Sequence, residues 1–60
     1  MKKYYVKYVY DNKGMGYEGS VIAFFNPNDI STVDDLLNAI NKYTNPQKEA
    51  KRILEISLLG

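Results

Sequence analysis

Hydrophobic and polar positions alternate from the start of the chain. Along Lys3–Tyr10, Tyr4, Val6, Tyr8 and Tyr10 fall on one side and Tyr5, Lys7 and Val9 on the other. The β-branched and aromatic content suits a pleated, half-buried strand, predicted over about residues 3–10. The run Ser20–Phe25 is apolar on both sides, with Ile22 and Phe24 on one and Val21, Ala23 and Phe25 on the other. It predicts a second strand over about 20–25 that is covered on both faces. Between the two lies a stretch rich in turn formers, in which Gly14 and Gly16 can supply positive φ, so a hairpin loop longer than two residues is expected.

Asn26-Pro27-Asn28-Asp29 stops the second strand. The spacing then switches from two to three and four. Val33, Leu36, Leu37, Ile40 and Tyr43 form one apolar stripe, with Asn38, Asn41 and Lys42 opposite. Ser31 or Thr32 is positioned to cap this helix, with Asp34 or Asp35 completing a capping box and favoured by the helix dipole. Asn45-Pro46 marks its end, because the residue before proline is pushed out of helical geometry; the helix is expected over about 32–44. After a polar connection, Arg52–Leu59 reads as a third strand, with Leu54, Ile56 and Leu58 on one face and Ile53, Glu55, Ser57 and Leu59 on the other.

The order ββαβ predicts one α+β domain over 1–60: a three-stranded, mainly antiparallel sheet with one helix on one face. A right-handed return favours the third strand beside the first. The even-numbered sets match the helix-covered face best. That assigns Tyr5, Lys7, Val9, Val21, Ala23, Phe25, Ile53 and Leu59 to a face with no cover from within the chain, the candidate interface.

Size sharpens this expectation. A chain of 60 residues buries only about 60% of its unfolded surface, and such domains lean on disulfides, metals or self-association. With no cysteine and no histidine, disulfides and an ordinary zinc site are excluded and no metal or cofactor is expected; a homodimer is the helper that remains. The net charge of +1 argues against a nucleic-acid partner. No apolar run approaches the ~20 residues of a membrane span and no signal-peptide pattern is present, so a soluble, cytoplasmic protein with no membrane partner is expected.

Two motifs bear on chemistry. Gly14-Met15-Gly16-Tyr17-Glu18-Gly19 is a literal G-x-G-x-x-G. A strand follows it, whereas a dinucleotide site requires a helix there, so Lys13, Gly14, Gly16, Tyr17 and Gly19 form only a candidate ligand loop, more simply a flexible hairpin. Tyr5, Lys7 and Val9 could act as a base-stacking platform, but tyrosine is equally at home in protein interfaces. Asp34 and Asp35 diverge by about 100° on a helix, and Ser20, Ser31 and Ser57 have no evident base, so no enzyme is expected.

Tyr8-Val9-Tyr10, Gly14-x-Gly16, Ile30-Ser31-Thr32-x-Asp34-Asp35-Leu36 and Ile53-Leu54-x-Ile56-x-x-Leu59 together span nearly the whole chain. In this pattern it resembles short ββαβ proteins of phages and other mobile elements. The resemblance implies a modulator or inhibitor of host machinery, including host defence, and supplies no active-site residues. The functional expectation is therefore a small non-enzymatic protein-interaction module, homodimeric. The alternatives are a nucleotide-binding sponge built on the glycine hairpin and a sheet-face binder of single-stranded nucleic acid.

Overall fold

The computed structural model describes residues 1–60. Strands β1 (Lys2–Asn12), β2 (Met15–Phe25) and β3 (Arg52–Leu59) form an antiparallel sheet in the order β2-β1-β3, and helix α1 (Val33–Ile40) lies between β2 and β3 in the chain. The α+β, ββαβ architecture and the central position of the first strand are as the sequence predicts.

The hairpin is tighter than expected. Lys13 and Gly14 alone connect β1 to β2, with φ of 54° and 80°, and Asn12 pairs with Met15. Positive φ at both central residues is the two-residue geometry whose twist matches the flanking strands. For lysine this conformation costs on the order of 1 kcal/mol, which the eleven-residue ladder on either side offsets.

That short turn decides which faces meet. Pairing Asn12 with Met15 sets Tyr4 opposite Ala23, Val6 opposite Val21 and Tyr8 opposite Gly19. Residues opposite one another share a face, so even positions of β1 lie with odd positions of β2. On the third strand Val6 faces Ile56 and Tyr4 faces Leu58, but a bulge between Lys7 and Tyr8 shifts the register and brings Ile53 opposite Tyr8.

The helix-covered face therefore carries Tyr4, Val6, Tyr8 and Tyr10 with Val21, Ala23, Phe25 and Ile53. Val6, Tyr8, Ala23, Phe25, Ile40 and Ala50 form the buried cluster. Tyr4 stacks on Phe25 with ring centroids 4.3 Å apart and planes within 10°, worth about 0.5–1.5 kcal/mol beyond the area buried. Towards the hairpin, beyond the reach of the helix, tyrosines take over. Tyr8, Tyr10 and Tyr17 form a row with centroid spacings of 6.3 and 5.8 Å, and the Lys48 ammonium lies 5.7 Å from the Tyr10 ring.

Thr32 is the N-cap. Its side chain accepts from the Asp35 amide at 3.0 Å, and the Asp35 carboxylate accepts from the Thr32 amide at 3.2 Å and the Ser31 amide at 3.0 Å. The helix ends at Ile40 rather than near residue 44, because Asn41 is committed elsewhere. Its Oδ1 accepts from the Ala50 amide at 2.7 Å and the Thr44 hydroxyl at 2.9 Å, and its Nδ2 donates to the Ala50 carbonyl at 3.2 Å. Asparagine side chains compete with helix continuation in this way. Here the competition ties the helix end to the segment entering β3, where the Lys51 amide also donates to the Val9 carbonyl at 2.8 Å.

Candidate interaction surface

The predicted interface set does not lie on one face. Tyr5, Lys7, Val9 and Leu59 do share the side of the sheet away from the helix, with Ile22 and Phe24 as β2 neighbours, but Val9 is buried there at 8% exposure and offers no interface surface. Val21, Ala23, Phe25 and Ile53 are on the opposite face, in or against the core; Ala23 is fully buried. The two-residue turn sets the faces of β2, and the bulge turns Ile53 to the core side. Ile22 and Phe24, assigned to the core by the alternation, are instead exposed.

On the uncovered face, Phe24, Ile22, Tyr5 and Leu59 gather at one end around Lys3, which lies between Phe24 and Leu59. At the other end charges alternate: Lys7 lies opposite Glu55 on β3 and forms an ion pair at 3.8 Å with Glu18 on β2, while Val9 lies between Glu18 and Arg52. Both members of the Lys7–Glu18 pair are well exposed, so it contributes well under about 1 kcal/mol. Glu18 and Glu55 flank Lys7 and leave Lys3 as the one cation beside Tyr5 without an opposed carboxylate, too little for a basic track along a phosphate backbone.

The glycine motif is accounted for by packing. Only Gly14 sits in the turn; Gly16 and Gly19 are in the β2 ladder with Tyr17. A Cβ at Gly19 would lie 2.9 Å from Cζ of Tyr8, and one at Gly16 would lie 3.3 Å from a Val9 methyl. The Tyr8 ring crosses the β2 backbone at Gly19, and burial, with the neighbouring Tyr10, raises its phenol above the ordinary 10.0. The candidate loop of Lys13, Gly14, Gly16, Tyr17 and Gly19 is thus a paired hairpin and not an open phosphate cradle.

One concavity is present, a groove of about 220 Å³ between the end of β2 and α1. Asp29, Asp35 and Lys42 stand around it, but the Asp35 carboxylate is already engaged in the cap. No group of three or more His, Cys, Asp or Glu residues is placed to hold a metal, and no helix is long and apolar enough to cross a membrane.

The surface that alternation did not reveal is β3. Helix α1 packs over β2 and leaves the β3 side of the same face bare. Ile56 and Leu58, paired with the core positions Val6 and Tyr4, are 40% and 57% exposed, and Leu54 at the bulge is 48% exposed. Beyond them the strand has no neighbour. The other edge is not equally free, because the Tyr43 hydroxyl donates to the Phe24 carbonyl at 3.0 Å and its ring packs on Phe24. Edge strands are ordinarily guarded by lysine, proline or a covering loop; between Ile53 and Leu59 the one charge is Glu55 and there is no proline.

No family model matches the chain, and no curated protein or solved structure shows significant similarity to it.

Proposed function

We propose that this protein is a non-enzymatic interaction module that binds protein through its β3 side. The observation that carries the reading is the half-covered sheet: an unpaired edge strand whose Ile56 and Leu58 project beside a helix that covers only the other half, with Leu54 exposed at the bulge. Apolar surface of this kind on a small domain marks a binding site, and an open edge adds main-chain hydrogen bonds to any extended partner. The accessible surface of 4331 Å² supports the same view. A folded chain of 6.9 kDa is expected to expose about 4,000 Å².

A catalytic role has little to draw on. The tyrosine with a shifted pKa is buried under the hairpin, and its shift makes it a weaker acid. The resemblance to phage-encoded proteins fits a modulator of host machinery that acts by occupying a surface. A photo-crosslinking residue at position 58, compared with one at Asp34 on the polar face of α1, tests the reading in cells. Protein adducts at 58 and none at 34 are expected. Equal yields at the two positions, or none at 58, would refute it.

A further inference from the structure

We infer that the occupant of the β3 edge is a second copy of the same strand, paired antiparallel about a two-fold axis at Ile56. The inference rests on the interaction-module reading and names its partner.

The backbone pattern states which groups are free. The Phe24 carbonyl accepts from Tyr43, so Phe24 turns its backbone away from β1. In an antiparallel pair, its partner Lys3 then also turns away from β2 and towards β3. The Val9 carbonyl, which accepts from Lys51, fits the same parity. Odd positions of β1 thus bond to β3, and Leu59, Ser57 and Glu55 point inward to meet them. Ile56 and Leu58 present their amides and carbonyls at the open edge.

A two-fold axis perpendicular to the sheet keeps each face continuous, so residues opposed across it must share a face. A register centred on Glu55 sets two carboxylates against each other and is disfavoured. A register centred on Leu58 overlaps only the last residues of the strand. Centring on Ile56 overlaps the regular stretch on the Leu59 side of the bulge, placing Ile56 against its copy and Glu55 against Ser57, whereas centring on Ser57 would set the Glu55 carboxylate against the apolar Leu59. The two outward Ile56 residues then exchange both main-chain hydrogen bonds, and Ile56 and Leu58 from two copies form one apolar floor between the two helices. A net charge of +1 per chain offers little repulsion to this pairing.

The test measures mass by light scattering over a dilution series of the full chain, with amide exchange at Ile56 and Leu58 at the two ends of the series. A species of twice 6.9 kDa is expected, with both amides protected only at high concentration. Ile56→Lys should be a folded monomer by circular dichroism. Should that variant fail to fold, the register is tested at exposed Ser57. Ser57→Lys creates two symmetric Glu55–Lys pairs across the axis and Ser57→Glu two repulsions, so their dimer dissociation constants should lie about 2- to 30-fold on opposite sides of the parent value. A monomer at every concentration overturns the inference and leaves the interaction module standing if position 58 still captures a foreign protein. A dimer indifferent to the sign of charge at 57 places the interface elsewhere and also overturns it.

Discussion

Replacing Gly19 with alanine separates two views of the glycine motif by the sign of one number. If Gly19 belonged to a mobile loop with no steric demand, alanine would reduce the entropy of the unfolded chain and stabilise the fold by about 0.4–1 kcal/mol. The structure predicts the reverse. The new Cβ would lie 2.9 Å from Cζ and 3.0 Å from Cε2 and the hydroxyl oxygen of Tyr8. That ring is 6% exposed, so it cannot swing into solvent without giving up its place in the core. Inserting a methyl into a packed core costs about 1–3 kcal/mol, from which the entropy gain is subtracted. A net loss of about 1 kcal/mol is expected, lowering Tm by about 4–8 °C in a domain of this size. The assay is thermal unfolding followed by far-ultraviolet circular dichroism, at one fixed protein concentration because association raises apparent stability. Repeating the substitution on a Tyr8→Leu background closes a double-mutant cycle in which the penalty should largely vanish. An unchanged or raised Tm for Gly19→Ala, or an equal penalty on both backgrounds, would refute the close approach of Tyr8 to the β2 backbone.

Two other substitutions probe the joints of the fold. Asn41→Ala removes three side-chain hydrogen bonds and orphans the amide of Ala50, which is buried, so a loss of about 1–3 kcal/mol is expected in denaturant unfolding, with faster exchange of the Ala50 amide. A change below about 0.5 kcal/mol would count against the clamp. Because burial, then Tyr10, raises the Tyr8 phenol, the folded state holds that proton more tightly than the unfolded chain. Its contribution is therefore full below the ordinary 10.0 and lost as pH rises through the folded value. Stability should fall in that alkaline range, and less steeply in Tyr8→Phe; parallel alkaline profiles for the two proteins would exclude Tyr8 as the source.

The sequence by itself determined the elements and their kind. Period-two alternation marked β1, the doubly apolar Ser20–Phe25 marked the end of β2, and Thr32 with Asp35 marked the helix start, because each signal is local: a strand's alternation, a turn's residue types, a cap's side chain reaching three residues on. It also determined that even positions of β1 form the core side. What it left to the tertiary structure was the matching of faces between elements. Whether Ala23 or Phe24 is buried depends on the parity of a turn at Lys13-Gly14, and whether Ile53 or Leu54 joins the core depends on a bulge opposite Lys7 and Tyr8. One residue more or less in either place inverts a whole strand, and composition changes little when that happens. The helix end was settled by Asn41 reaching Ala50, a contact between residues nine apart in sequence that no helical periodicity contains. The candidate surface is the largest such case. Ile56 and Leu58 have the same pattern as a buried strand, and they are exposed only because an eight-residue helix is too narrow to cover three strands and settles over β2.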